Sequence, residues 1–194
     1  MLKQSEITDI FQQTEAYLSG HFQLTSGLHS PHYFQCAKVL QHPQHMTLLC
    51  TDIARKLEKT VIDLIVGPAM GGIVVAQEIG RVLNKRTIFS ERENGRMTLR
   101  RGFDMVKGER VLIAEDVLTT GKSVREVMDI IREREAVLAG VAVIVDRSGG
   151  KIDFGVPLVS LMALETITYT PEACPLCRQG SPVVKPGSRK QEAK

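Results

Sequence analysis

Residues 111–123, VLIAEDVLTTGKS, restrict this chain more than any other stretch. Four apolar residues, Val111, Leu112, Ile113 and Ala114, run into two adjacent carboxylates, Glu115 and Asp116, and then into a small, hydroxyl-rich turn. Val124, Val127, Met128 and Ile131 follow at helical spacing, so the unit reads as strand, loop, helix. Thr119, Thr120, Gly121 and Ser123 therefore fall at a helix N-terminus, where uncommitted backbone N–H groups and the helix dipole favour an anion. The two acids fall at the strand's carboxyl end, where open α/β sheets place their ligands. A phosphate cradle beside two carboxylates points to a phosphorylated sugar, with the acids reaching its hydroxyls or a bound metal. A nucleotide-binding P-loop competes, since GKS is present, but it requires glycine five positions before Gly121, where this chain has Asp116. The plain alternative is a buried strand leading into a capped helix, with the acids merely solvated.

A chain of 194 residues, 43% hydrophobic and 24% charged, suits one well-packed globular domain or a domain with a small appendage. The net charge of +3 is small and its basic residues are scattered, with no basic run interleaved with aromatics, so nucleic-acid binding is not expected. MLKQSEITDIF lacks the apolar core of a secretory signal, and no segment approaches about 18 uninterrupted apolar residues. A cytoplasmic protein without a membrane span is expected. Cys36, Cys50, Cys174 and Cys177 then read as reduced thiols rather than a disulfide framework. Cys174 and Cys177 form one CxxC, which is half of a zinc site. A full site needs two further His or Cys partners, from elsewhere in the chain or from a second subunit. The competing reading is a simple turn closed by Pro171 and Pro175.

Elsewhere the patterning is regular. Ile7, Ile10, Phe11, Thr14 and Leu18 share a helical face, with Gly20 placed to stop the helix. HFQLTSGLHSPHYFQC reads as two extended pieces around a Ser-Gly turn. Met46, Leu49, Cys50, Ile53, Ala54 and Leu57 predict an amphipathic helix that starts at Pro43. Val61–Val66 predicts a buried parallel strand, and Gly67-Pro68 a tight loop. Gly71 and Gly72 allow close backbone approach to a ligand, and Val74, Val75, Ile79 and Val82 continue as a helix. Thr87, Phe89, Met97 and Leu99 alternate about Asn94-Gly95, which predicts a hairpin protruding beyond the sheet. After Gly140, Val141–Val145 predicts a further buried strand that delivers Asp146 and Arg147 to the crevice of Glu115 and Asp116. Leu158 to Leu161 adds a last strand, Leu164, Ile167 and Tyr169 are expected to pack, and from Pro171 the chain reads as a Pro-, Gly- and charge-rich tail whose last ten or so residues are flexible.

AEDVLTTGKS resembles the phosphoribosyl diphosphate signature of the type I phosphoribosyltransferases. The resemblance implies that Glu115 and Asp116 hold the ribose hydroxyls and that Val117, Leu118, Thr119, Thr120, Gly121, Lys122 and Ser123 surround the 5-phosphate. GPAMGG is similar to the family's pyrophosphate loop, which implies diphosphate binding by Ala69, Met70, Gly71 and Gly72, often with a strained or cis peptide. The SG…SP turn with Tyr33-Phe34, the hairpin and the Asp146-Arg147 pair together resemble the orotate phosphoribosyltransferases. That likeness implies orotate beside Phe34, Arg147 and Thr119, and a basic hairpin closing over the neighbouring subunit's site in a homodimer. Arg92 and Arg96 are then the implied diphosphate contacts, and Arg92, Glu115 and Asp116 the implied catalytic residues. Mg²⁺, carried mainly by the substrate diphosphate, is the implied cofactor. The family's usual lysine at position 71 is glycine here, so another cation must meet the diphosphate; arginine can do so through bidentate hydrogen bonds but cannot give up a proton.

The implied architecture is an α/β doubly wound parallel sheet. A single phosphoribosyltransferase domain would span residues 1–170, with a small hood from 1–40 and the hairpin 86–103, followed by a tail over 171–194. Two other readings stay open: a purine or xanthine phosphoribosyltransferase, and a regulator that senses phosphoribosyl diphosphate. Regulators of that kind usually add a helix-turn-helix domain or a strongly basic face, and neither is visible here.

Overall fold

The computed structural model describes residues 1–24, 26–165 and 167–186. Its centre is a six-stranded sheet in the order β5-β4-β3-β6-β7-β8, comprising β3 (Leu64–Pro68), β4 (Arg86–Glu93), β5 (Arg96–Leu99), β6 (Arg110–Leu118), β7 (Val137–Asp146) and β8 (Leu158–Ala163). All neighbouring pairs are parallel except β4 with β5. Side-chain alternation splits the sheet's two faces cleanly. Ile65, Leu112, Ala114, Ala142 and Ile144 face a core shared with Phe11 of α1 (Gln4–Gln13), Leu49 and Ile53 of α3 (Pro43–Lys56), and Val75 and Ile79 of α4 (Gly71–Leu83). Leu64, Val66, Val111, Ile113, Val141 and Val143 face the opposite core, against Val124, Val127, Ile130 and Ile131 of α5 (Lys122–Glu133).

A second, two-stranded antiparallel sheet, β1 (Tyr17–Gln23) with β2 (His29–Phe34), forms the hood, and short α2 (Ala37–Leu40) leads from it into α3. The expected α1 is shorter than its apolar spacing implies. It ends at Gln13, where Glu15 turns left-handed (φ 54) and Ala16 N–H donates to the Phe11 carbonyl at 2.8 Å. Leu18 and Gly20 lie in β1, so the apolar run that extended the helical pattern belongs to a strand instead.

Three further boundaries differ from expectation. Val61 is exposed and β3 begins only at Leu64, then continues through Gly67 and Pro68, which pair with Phe89 and Ser90. Proline is tolerated there because the β6 side of β3 pairs only as far as Val66, so no ladder donor is lost. Gly140 lies within β7, beside a register shift between Val111 and Leu112. The hairpin about Asn94 (φ 50) and Gly95 (φ 83) forms as expected, but it continues the main sheet as its edge rather than standing beyond it, with Met97 buried against the α5 core.

Residues from 171 onward do not all form a separate tail. A 3₁₀ turn at Pro171–Ala173 and short α6 (Pro175–Arg178) are followed by Val184, whose N–H donates to the His21 carbonyl and whose carbonyl accepts from Gln23 N–H, at 2.8 and 2.9 Å. Tyr169 pairs with His29 in the same way, whereas Ile167 is exposed rather than packed. The tail segment 187–194 lies outside the described residues, as does Thr25 in the hood turn.

Gly67 sets how closely the β3–α4 connection can return to the sheet, because a Cβ there would collide with the Gly72 backbone carbonyl. Main chain cannot rotate away as a side-chain tip can. Gly67→Ala is therefore expected to destabilise the fold by about 1–3 kcal/mol, read as a lower urea midpoint; an unchanged midpoint would show that the connection can slide.

Candidate active site

Strand order places the site. From β3 the chain moves outward to β4, and then returns to the other side of β3 as β6, which leaves a topological switch point between the carboxyl ends of β3 and β6. Two loops meet there. One is the 69–72 turn, with a cis Ala69–Met70 peptide, and the other carries Glu115, Asp116 and the 117–123 segment.

Their approach is so close that it excludes side chains. A Cβ at Gly71 would overlap the Asp116 carboxylate, and one at Gly72 would lie 2.9 Å from the Ala114 carbonyl and 3.0 Å from Glu115 Oε1. Here, with Asp116 as it stands, the family's lysine at position 71 has no room. The 69–72 amides are not uniformly available either. Ala69 N–H donates to the Ser90 carbonyl at 2.8 Å, so the expected role of this amide in diphosphate binding conflicts with its place in the sheet. Gly72 N–H serves Glu115. Met70 and Gly71 are left to supply the loop's donors.

Glu115 is buried and Asp116 half-buried. Burial, then the adjacent Asp116 charge, pushes the Glu115 carboxyl up to about 9, against the opposing pull of N–H donors from Asp116 (3.1 Å) and Gly72. Asp116 Oδ1 accepts from Val117 N–H at 2.8 Å. Glu115 thus holds a proton at neutral pH, and the pair behaves as one acid and one hydrogen-bonding carboxyl.

Val117, Leu118, Thr119, Thr120, Gly121, Lys122 and Ser123 line one cavity of about 50 Å³ together with Glu115 and Val124. Gly121 (φ 73) takes the position just before α5, so the first N–H groups of a twelve-residue helix face this cavity. The residues expected around the 5-phosphate are thus brought together at one cavity.

A second cavity, of about 30 Å³, is lined by Tyr17, Ser30, His32, Tyr33, Phe34, Arg147, Leu164 and Glu165. It joins the hood to the end of β7. Arg147 is half-buried there, which pulls its pKa down, and the nearby Tyr33 partly counters this. Its backbone N–H donates to the Leu118 carbonyl at 2.8 Å, tying this cavity to the cradle loop. Phe34 and Arg147 are thus brought together as expected. Phe34 also packs edge-on against Phe11 at 5.4 Å between ring centroids, so its ring is held by the core. Thr119 lines the cradle and not this cavity. Sequence reading missed Tyr17 and His32, which stack at 5.2 Å across the hood hairpin; with Tyr17 read as lying in a helix rather than in a strand, nothing in the sequence linked the two.

Arg92 and Arg96 stand apart from both cavities, on the hairpin. Arg92 grips the Glu126 carboxylate of α5 with both guanidinium nitrogens, and Arg96 lies 3.8 Å from Glu133. Arg100 and Arg101 are likewise paired with Glu91 and Glu93.

Comparison with known proteins agrees with this geometry. Residues 37–154 match the family described as the phosphoribosyl transferase domain. An orotate phosphoribosyltransferase of Pelotomaculum thermopropionicum is 56% identical over 97% of this chain and 100% of its own length. One from Caldicellulosiruptor bescii is 53% identical over 94% of this chain and 96% of its own. Among solved structures, the orotate phosphoribosyltransferase of Mycobacterium tuberculosis shares the fold with a TM-score of 0.68 at 21% identity, covering 83% of this chain and 95% of that one. With its cradle, its paired acids and relatives that match from end to end, the chain belongs to the phosphoribosyltransferases, and among them to the orotate phosphoribosyltransferase family.

Proposed function

We propose that this chain transfers the 5-phosphoribosyl group of phosphoribosyl diphosphate to orotate, forming orotidine 5-phosphate and pyrophosphate, a step of pyrimidine biosynthesis. The observation that carries this reading is the adjacency of the two cavities, one built for a phosphorylated sugar and one presenting a half-buried arginine beside aromatic rings, joined through the Arg147–Leu118 hydrogen bond. The lining of the second cavity, rather than its volume of about 30 Å³, suits a flat, anionic pyrimidine that enters with the hood displaced: Arg147 meets its carboxylate with paired donors, and the rings of Tyr33 and Phe34 bound its face. The described residues hold no nucleophile with an adjacent base in the crevice, which favours direct displacement at the anomeric carbon.

In that displacement the bond from the anomeric carbon to the diphosphate oxygen breaks as the bond to the base nitrogen forms, and the proton on that nitrogen leaves with the diphosphate. The cradle holds the 5-phosphate at the N-terminus of α5, and Asp116 with Glu115 holds the ribose hydroxyls, so the sugar is fixed at both ends. The carboxylate of Asp116 stabilises the positive charge that grows on the ring. Glu115, protonated, donates one hydrogen bond to a hydroxyl while its other oxygen accepts. N–H groups of Met70 and Gly71 meet the departing diphosphate.

Mg²⁺ fits this donor set. The Asp116 carboxylate, a hard oxygen donor lying against the 69–72 backbone, would hold it, with the diphosphate and water completing the shell. The ion would supply charge neutralisation of the leaving diphosphate. Further positive charge must come from outside the crevice, and we assign it to Arg92 and Arg96 of a second subunit in a homodimer. Exposed ion pairs such as Arg92–Glu126 contribute only about 0–1 kcal/mol, so a multiply charged diphosphate can displace the glutamate. An apolar groove of about 420 Å³ between α3, α4 and Phe89 and Phe103, with Val74 exposed at its rim, supports such pairing. No helix of the described residues is long and apolar enough to cross a membrane. With Cys36 and Cys50 buried as free thiols, we place the protein in the cytoplasm.

Pyrophosphate release from orotate, Mg²⁺ and phosphoribosyl diphosphate tests the assignment directly; turnover with purine bases and none with orotate would refute it. Two substitutions are expected to differ in kind. Asp116→Asn lowers kcat about 10²-fold whichever base is supplied, whereas Arg147→Ala lowers kcat/KM for orotate about 10–100-fold and leaves the KM of the donor within about twofold. Orotate kinetics unaffected by Arg147→Ala would remove Arg147 from the acceptor site.

Glu115 gives a pH test. Its folded pKa lies above the ordinary value of 4.5, so between that value and about 9 the folded state binds more protons than the unfolded state, and its contribution to stability declines as pH rises through this window. The stability of Glu115→Gln relative to the parent is therefore expected to increase from pH 5 to pH 9 in thermal melts. A difference independent of pH would mean that Glu115 ionises normally.

A further inference from the structure

Four side chains outside the crevice converge at the base of the hood. His21 of β1, His29 of β2, and Cys174 and Cys177 around α6 present ligand atoms that all lie within 4.8 Å of one another. His21 Nε2 is 2.9 Å from His29 Nδ1 and 3.4 Å from Cys174 Sγ, and Cys177 Sγ is 3.3 Å from His29 Nδ1 and 3.7 Å from His21 Nε2. Tetrahedral zinc, with bonds of about 2.3 Å to sulfur and 2.0–2.1 Å to nitrogen, requires ligand-to-ligand edges of about 3.3–3.8 Å. Three of these four separations therefore match the edges of a zinc tetrahedron; the His–His edge is drawn in, and the two remaining edges lie within 4.8 Å.

We propose that this cluster is a structural zinc site of the Cys2His2 type that staples the segment following β8 to the hood hairpin. Three observations carry it. His21 Nδ1 faces the Ser181 carbonyl at 2.8 Å, and only an N–H can satisfy a carbonyl, so Nε2 is left with its lone pair directed at the cluster. His21, His29 and Cys174 are buried, and Cys177 stands toward solvent, which leaves a route for the ion to enter. A hydrogen bond between the two imidazoles accounts for the histidines but leaves two weakly hydrogen-bonding thiols directed at the same point without a partner of matching strength. Binding converts both thiols to thiolates and releases two protons, so the site carries no net charge. With four protein ligands it is closed, and its function is to fix geometry. The hood strand that holds His29 continues to His32, Tyr33 and Phe34, so the staple sets the wall of the acceptor cavity. The zinc assignment itself does not depend on which base that cavity accepts.

The test is metal analysis of the full chain, purified with a thiol reductant and without chelator or metal-affinity resin. One zinc per chain is expected, and replacement by Co²⁺ is expected to give tetrahedral d–d bands together with thiolate-to-cobalt charge transfer. Cys177→Ser, at the exposed ligand, is expected to fold with parental circular dichroism, to lose the metal, and to melt several degrees lower; chelator is expected to lower the parent's melting temperature and leave that of the variant unchanged. A metal-free parent that shows no tetrahedral Co²⁺ spectrum, a Cys174–Cys177 disulfide under these conditions, or Cys177→Ser that retains stoichiometric zinc would each overturn the proposal.

Discussion

Backbone of the β3–α4 turn lies directly on the carboxyl end of β6, and the rest of the site follows from that contact. Gly67 and Gly72 are required because Cβ atoms there would meet backbone, the Gly72 and Ala114 carbonyls respectively, and at Gly71 a Cβ would displace the Asp116 carboxylate. Three glycines thus bring an amide-bearing turn within hydrogen-bond reach of two acids. The electrostatic consequence is immediate. Squeezed between backbone and Asp116, Glu115 keeps its proton, which halves the negative charge that an anionic donor must approach. With Asp116 as it stands, the same contact leaves little space for a side chain at position 71, so the groups that the turn itself presents to the crevice are backbone N–H groups.

The hairpin arginines place positive charge at the surface, away from both cavities. Each is paired with a glutamate of the same chain, Arg92 with Glu126, Arg96 with Glu133, and Arg100 and Arg101 with Glu91. These pairs are at the surface, where screening makes each one weak. They orient the guanidinium groups without committing them. Arg92 makes the strongest geometry, and its bidentate grip on Glu126 is the arrangement by which a guanidinium also recognises two oxygens of a diphosphate.

Much of this was legible in the sequence, for a definite reason. Val111–Ala114, the two acids and the TTGKS turn form a local unit whose period changes from 2 to 3.6 within a few residues, and the structure keeps every part of it in one place. The interleaved strands read at Val61–Val66, Val111–Ala114 and Val141–Val145 were equally legible, because burial on both faces makes their cores apolar, although the first begins only at Leu64. What failed was non-local or ambiguous by nature. Leu18 extends a helical pattern and a strand pattern equally well, and only the left-handed Glu15 decides between them. Ala69 looked like a ligand donor until the β4 strand claimed its N–H through Ser90. His21, His29 and the CxxC are separated by some 150 residues in sequence, and no periodicity links them.

The position of that last cluster bears on how the two cavities stay in register. The cradle is rigid, since it sits between a six-stranded sheet and a helix whose apolar face is buried. The acceptor cavity is different: its far wall is a two-stranded hairpin, and a pair of strands is marginal in isolation. Several connections hold the hairpin down. Phe34 packs on Phe11 of α1, Tyr169 pairs with His29, Val184 pairs across β1, Ser30 Oγ donates to the Ile167 carbonyl, and His21 Nδ1 meets the Ser181 carbonyl. All but the first come from residues beyond β8, on either side of Cys174 and Cys177. The C-terminal segment is therefore the second layer that the hood needs in order to present Tyr33 and Phe34 at a fixed distance from Arg147. One cavity wall is thus fastened by the C-terminal segment and the other by the sheet and α5, and the Arg147–Leu118 hydrogen bond is where the two frames meet.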